Sequence, residues 1–93
     1  MIRSFRGKLG QRIFERQRSP RLDGGVERVA YRRLLILDAA VALEDLRPPP
    51  GNRLEKLVGG RRGPHSIRIN DQWRICFRWR EGNAYDVEVV DYH

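Results

Sequence analysis

The last third of the chain alternates between apolar and polar residues with a period of two. The apolar positions fall in three runs, namely His65, Ile67 and Ile69, then Trp73, Ile75, Phe77 and Trp79, then Tyr85, Val87 and Val89. Short polar turns at 70–72 and 81–83 separate these runs. Period two with short turns predicts an antiparallel β-meander that buries its apolar face.

The first half of the chain has a helical period instead. Leu9, Ile13 and Phe14 predict a first helix over 8–18, and a broader apolar stripe predicts a second helix over 26–43. The stripe consists of Val29, Ala30, Leu34, Leu37, Ala40 and Val41. Residues 1–5 are compatible with a short strand, and three consecutive prolines make 47–51 an extended linker. We therefore expect one α+β domain over 1–93, with two N-terminal helices packed on one face of a twisted antiparallel sheet.

Three-residue turns would bring specific residues together across the predicted sheet. On the apolar face, Ile67 then lies near Ile75 and Phe77 near Val87. On the polar face, Arg68 lies opposite Arg74 and Arg78 opposite Asp86.

The facing arginines are unusual, because like charges directly across two strands destabilise a sheet. Either Glu88 or another acidic side chain neutralises Arg68 and Arg74, or the two await an anion. We favour the anion, since the small neighbours Ser66 and Cys76 would leave a floor for a phosphate.

Composition narrows the functional class. The chain has 93 residues with 19 Lys+Arg, 12 Asp+Glu and a net charge of +7. One Cys and two His argue against a disulfide and against a structural metal, and we expect no cofactor. The apolar stretch over 34–43 is too short to cross a bilayer, and nothing resembles a secretory signal. We expect a cytoplasmic protein with no membrane partner.

The positive charge is concentrated at the start of the chain. Residues 1–33 carry 10 basic and 3 acidic side chains, and nearly all the basic residues are Arg. GC-rich coding DNA would produce the same Arg bias, but the clustering favours a polyanionic partner. Arg12, Arg16 and Arg18 of the first helix are the candidate contacts, although a solvated helix face is an alternative.

Two motifs give the chain a family resemblance. The run Gly63-Pro64-His65-Ser66-Ile67-Arg68-Ile69-Asn70-Asp71-Gln72-Trp73-Arg74-Ile75 and the ending Val90-Asp91-Tyr92-His93 resemble the HigB branch of the RelE/ParE toxin superfamily. The segment Ile2-Arg3-Ser4-Phe5-Arg6, the linker leading to Gly59 and the total length are similar too. The resemblance implies a RelE-like microbial RNase fold and the toxin of a type II toxin–antitoxin pair. It also implies a ribosome-dependent endonuclease that cuts mRNA in the A site.

The same resemblance implies partners and site residues. A HigA-like helix-turn-helix antitoxin would neutralise the toxin, and operator DNA would be contacted only through that antitoxin. Asp91, Tyr92, His93 and Arg74 fall on the functional positions of the family. The segment 54–59 departs from the pattern at Glu55 and Val58, where relatives carry His or Lys, so the general base is left open.

The residue chemistry agrees with metal-free RNA cleavage. Such cleavage needs a deprotonated 2′-OH, stabilisation of the phosphorane charge and protonation of the leaving 5′-oxygen. His93 can carry protons, Tyr92 can stack or donate a hydrogen bond, and Asp91 can orient the imidazole or act as the base. Arg74, Arg68 and Lys56 are the candidate phosphate ligands.

Two other functions are compatible with the sequence. A ParE-like protein would use the same fold to inhibit DNA gyrase without nuclease chemistry, although the terminal Asp91-Tyr92-His93 argues against it. A non-catalytic RNA- or ribosome-binding protein would block translation by occupancy.

Overall fold

The computed structural model of the protein describes residues 1–47, 53–56 and 63–91. The predicted proline linker, apart from Arg47, lies outside these ranges. Tyr92 and His93 also lie outside them.

The first helix, α1, spans Leu9–Phe14 and is shorter than predicted. It ends because Arg16 adopts a left-handed conformation with φ of 63°. The N–H of Arg16 donates to the Ile13 carbonyl, and the N–H of Gln17 donates to the Arg12 carbonyl. This is the Schellman pattern that satisfies the last carbonyls of a helix.

The second helix, α2, spans Gly24–Ala39 and is displaced from the predicted range at both ends. Asp23 caps its start, because the Asp23 carboxylate accepts a hydrogen bond of 2.9 Å from the N–H of Val26. Ala40 is extended and ends the helix, and a short 3₁₀ turn follows at Leu43–Leu46. Val41 therefore leaves the predicted apolar stripe and is 77% exposed.

Within the described residues, the sheet has four antiparallel strands in the order β1-β2-β3-β4. The strands are Glu55–Lys56, His65–Arg68, Trp73–Arg80 and Asn83–Asp91. The last three form the predicted meander, whereas the two-residue β1 was not predicted. Residues 1–6 run parallel to β4, with isolated bridges at Ile2 and Phe5.

The register between β3 and β4 changes along the strands. Away from the hairpin turn, Ile75 pairs with Val89, as a three-residue turn predicted. Close to the hairpin turn, Arg78 pairs with Tyr85 instead of Asp86. The difference arises because the hairpin turn contains only Glu81 and Gly82, whose φ angles of 52° and 77° fit a two-residue type I′ turn. A bulge then restores the predicted register.

The helices pack on one face of the sheet, and the apolar residues between them form one core. Its buried members are Ile13, Leu22, Ala30, Leu34, Leu37, Ala40, Leu46, Ile67, Ile69, Trp73, Ile75, Phe77, Ala84, Val87 and Val89. Gly63 permits a close approach at the start of β2. Its φ is 112°, and a Cβ there would lie 2.6 Å from the Phe77 carbonyl oxygen. Among the described residues, no helix has the length and apolarity needed to span a membrane.

Candidate RNA-binding and catalytic site

Three of the predicted site residues lie at the same end of the sheet. Arg68 ends β2, Arg74 is the second residue of β3, and Asp91 ends β4. Arg68 pairs directly with Arg74, as the alternation predicted, and Asp91 pairs with Trp73. This end of the sheet is the candidate site.

Arg74 is held firmly and is only 8% exposed. Its Nε donates to Ser66 Oγ at 2.8 Å, and one terminal nitrogen donates to the Arg53 carbonyl at 2.8 Å. The Glu55 carboxylate lies 3.8 Å from the same terminal nitrogen. These two hydrogen bonds use two of the five guanidinium N–H groups and fix the orientation of the others.

The environment of Arg74 corrects one expectation. Ser66 and Cys76 are fully buried, so they do not form an open floor for a phosphate. Arg74 lies on the predicted polar face of the strand, and its side chain is buried there. Its replacement therefore affects stability as well as anion binding.

Arg68 is neutralised by a neighbouring acid. A terminal nitrogen of Arg68 makes a short ion pair with the exposed carboxylate of Asp71. Together with the Glu55–Arg74 contact, this pair supports neutralisation by acids, the alternative that we did not favour, because a carboxylate lies beside each arginine.

Two further arginines reach this end from the helical side, and sequence reasoning missed both. The Nε of Arg33 on α2 donates to the Arg68 carbonyl at 3.2 Å. Burial lowers the pKa of Arg33, and the charges of Arg32 and Arg68 lower it further. The guanidinium carbon of Arg21 lies 5.8 Å from the centre of the Trp73 ring. Local patterning gave no signal for either residue, since both contacts depend on how α2 and its preceding loop lie against the sheet.

Asp91 is exposed at the end of β4, and its Oδ2 accepts a hydrogen bond of 3.0 Å from the Gln72 side chain. The turn before β3 is fixed by Asn70, whose Oδ1 accepts from the N–H groups of Gln72 and Trp73. This turn places Gln72 beside Asp91. The predicted catalytic residues Tyr92 and His93 follow Asp91 directly in the chain but lie outside the described residues.

Lys56 is separated from the other predicted phosphate ligands. It pairs with His65, whereas Glu55 pairs with Ser66 beside Arg74. Because neighbouring residues of a strand point to opposite faces, Lys56 lies on the other face of the sheet from Arg74. His65 stacks on Phe77 with ring centres 5.7 Å apart. Burial and the charge of Lys56 lower the pKa of His65.

The predicted ribosome-binding arginines lie in α1 and in the segment that follows it. A cleft of about 370 Å³ between the two helices is lined by Arg16, Arg18, Arg28 and Arg32, with Ile13, Gly24, Glu27 and Tyr31. The guanidinium carbon of Arg16 lies 4.4 Å from the centre of the Tyr31 ring. Arg12 donates a hydrogen bond of 3.1 Å to the Arg18 carbonyl. Arg28 and Arg32 thus join two of the predicted arginines in one basic cleft.

The fold and the site place the protein in the class of small α+β domains that carry arginines at one end of an antiparallel sheet. Comparison with known proteins identifies the family. The family model described as the RelE-like toxin of type II toxin–antitoxin system HigB matches residues 3–93. The chain belongs to this family of HigB-like toxins, and membership implies an antitoxin as partner.

Two relatives illustrate the similarity. The chain is 44% identical over 85 residues to Toxin HigB-1 of Vibrio cholerae, and the match covers 90% of each chain. It is 33% identical over 94 residues to a Proteus vulgaris protein named Endoribonuclease HigB, and the match covers both chains fully.

Proposed function

We propose that this toxin is an endoribonuclease that cuts mRNA on the ribosome, with the scissile phosphate held at the basic end of the sheet. The observation that supports the proposal most directly is Arg74, a guanidinium fixed by Ser66 and Arg53 at that end. The Proteus vulgaris relative named Endoribonuclease HigB supports the same chemistry.

The proposed role of Arg74 is to stabilise charge that develops at the phosphate. A donor fixed before the reaction costs no reorganisation when the pentavalent intermediate forms, which makes its stabilising effect larger. A guanidinium also matches two phosphate oxygens at once, which an ammonium does not. Arg33 adds positive charge at the same end of the sheet, where Arg68 is paired with Asp71.

Proton transfer is assigned to Asp91, which ends β4, and to the two residues that follow it. An imidazole titrates near a pH of about 6.5, so His93 can hold or release a proton under physiological conditions. Asp91 would orient that imidazole or remove the 2′-OH proton, and Tyr92 would stack on a base or donate a hydrogen bond. This scheme needs no metal ion or cofactor.

Binding to the ribosome is assigned to the basic cleft and to α1. Arg16 and Arg18 line the cleft, and Arg12 lies beside them through its bond to the Arg18 carbonyl. Such charges bind a phosphate backbone by releasing counterions and carry no sequence information. The antitoxin that the family implies would be HigA-like, and any contact with operator DNA would pass through it.

Primer extension on mRNA from cells that express the toxin tests the proposal. The expected result is a set of discrete cuts in phase with codons. DNA damage without cuts would indicate a gyrase inhibitor of the ParE kind, and stalled translation without cuts would indicate a protein that acts by occupancy. Either of these outcomes would overturn the nuclease proposal.

A further inference from the structure

The face of the sheet opposite the helices, here called the outer face, carries Arg74 near the start of β3. A second feature of this face lies at the other end of β3, beside the hairpin turn that leads to β4. The alternation of β4 placed Tyr85 in the core, but the structure pairs it with Arg78, which is exposed. Directly opposed residues point to the same face, so Tyr85 belongs to the outer face. The change is caused by the bulge at Asp86, whose φ of 52° is left-handed.

The bulge builds a pocket around Tyr85. The pocket has a volume of about 510 Å³ and is lined by Pro64, Arg78, Trp79, Arg80, Tyr85 and Asp86. The Arg80 guanidinium carbon lies 5.0 Å from the centre of the Tyr85 ring. Arg78 Nε lies 3.4 Å from Asp86 Oδ2, and both side chains are about half exposed. The bulged backbone is fixed from the other side, because the N–H of Asp86 donates to Ser4 Oγ at 2.8 Å.

The chemistry of this pocket matches one unit of a single-stranded nucleic acid. Aromatic rings and guanidinium planes are the surfaces on which unpaired bases stack, and arginines bind the phosphates between them. Here the Tyr85 ring and two arginines line the same pocket, whereas the Trp79 ring packs against Phe77 on the core side of β3. The lining carries two arginines and one carboxylate, and the Arg78–Asp86 pair is half exposed, so a phosphate can compete with Asp86 for Arg78.

We infer that this pocket binds one nucleotide of single-stranded RNA, with its base stacked at Tyr85 and its phosphate at Arg78. The inference rests on the proposed function for the identity of the RNA. Arg74 and Arg78 are four residues apart on one strand, so they share a face and lie about 13 Å apart at the usual rise. The pocket therefore binds a different nucleotide of the RNA from the one that carries the scissile phosphate. Its role is to position the message, not to take part in the chemistry.

Equilibrium binding of a short RNA tests the inference. The probe is fluorescein-labelled 2′-O-methyl octaadenylate, which a 2′-OH-dependent reaction cannot cut, and fluorescence anisotropy is measured at low salt. Tyr85→Ser should weaken binding about tenfold, equivalent to about 1.4 kcal/mol and within the range for stacking on a ring. Tyr85→Phe keeps the ring and should bind within about twofold of the wild type. Arg78→Gln should weaken binding more than Arg47→Gln, which removes an exposed charge elsewhere.

Any set of binding results other than the one just described overturns the inference. If the RNA does not bind the wild type, or binds Tyr85→Ser equally well, no base stacks at Tyr85. If Arg78→Gln and Arg47→Gln have equal effects, the contribution of Arg78 is nonspecific charge. If Tyr85→Ser loses affinity for the antitoxin but not for RNA, the pocket serves a protein. Thermal melting checks that each variant is folded.

The failure of this inference is distinguishable from failure of the proposed function. Cleavage of mRNA by the wild type, together with RNA binding that ignores Tyr85, would retain the nuclease and remove the pocket. RNA binding that depends on Tyr85, without cleavage by the wild type, would retain the pocket and remove the nuclease.

Discussion

Arg68 lies directly opposite Arg74 in the ladder between β2 and β3, and an acidic residue lies beside each of them. Asp71 pairs with Arg68, and Glu55 approaches Arg74. The two acids reduce the repulsion that facing cations would otherwise cause in a sheet. A negatively charged phosphate that entered this end would compete with those same carboxylates.

Replacing Arg74 should affect both stability and cleavage. Arg74→Ala leaves Ser66 Oγ and the Arg53 carbonyl without their donor, which should lower the free energy of unfolding by about 1–3 kcal/mol. Arg74→Lys keeps the positive charge but loses the planar fork. Both variants should slow mRNA cleavage about 10²–10³-fold, as expected for the loss of a fixed donor to a developing oxyanion.

Cleavage on programmed ribosomes and thermal melting together distinguish the two effects of the Arg74 variants. The comparison is made below the melting temperature of the less stable variant. Wild-type cleavage by a folded Arg74→Lys protein would show that the guanidinium is not a phosphate ligand.

Removing the carboxylate beside Arg74 should have the opposite effect on activity. Glu55→Gln removes a competitor for the Arg74 guanidinium, and Glu55 is half exposed, so folding should change by no more than about 1 kcal/mol. We expect kcat/KM for cleavage to rise by up to about fivefold, the equivalent of that energy. Glu44→Gln is the matched control, because it makes the same charge change at an exposed position elsewhere. Equal effects of the two substitutions would indicate general charge steering only.

Neutralising Arg12 of α1 together with Arg16 and Arg18, which follow this helix, should weaken ribosome binding without changing the chemistry. The triple variant Arg12→Gln, Arg16→Gln and Arg18→Gln removes up to three phosphate contacts. The slope of the logarithm of affinity against the logarithm of salt concentration should become shallower by about 2. Sedimentation with ribosomes at several salt concentrations measures this slope. Cut positions that moved in the triple variant would show that these arginines read sequence.

Acid should destabilise the fold through His65. Burial and Lys56 lower the pKa of His65 in the folded protein, so the unfolded chain binds the proton more tightly. Stability is therefore greatest above the ordinary pKa of about 6.5 and decreases as pH falls towards the lower folded value. The melting temperature should fall more steeply from pH 8 to 5.5 for the wild type than for His65→Gln. Parallel curves for the two proteins would contradict this assignment.

The side-chain pattern predicted the part of the sheet in which apolar and polar residues alternate regularly. Ile67 and Ile75 alternate with polar residues on both strands, and that alternation was sufficient to predict their pairing and the facing arginines. It failed near the hairpin, since a two-residue turn and a compensating bulge at Asp86 depend on left-handed backbone angles. Those angles move Tyr85 to the other face.

The candidate site was predictable only where its residues lie on the repeating strands. Arg68 and Arg74 could be paired from alternation alone. Arg33 could not be assigned to the site, because its contact with the Arg68 carbonyl depends on the docking of α2 against the sheet. Glu55 was missed as the partner of Arg74, since the two-residue strand that carries it has no readable period.

The most direct test of the central claim is single-turnover cleavage of a defined mRNA on purified ribosomes by the wild type and by His93→Ala. We predict discrete cuts by the wild type and a rate about 10²–10⁴-fold lower for His93→Ala, the usual contribution of general acid–base catalysis. Ribosome binding and melting temperature should not change. His65→Gln, which replaces the other histidine, is the matched control and should cut at the wild-type rate. Cleavage by folded His93→Ala at the wild-type rate would contradict the account.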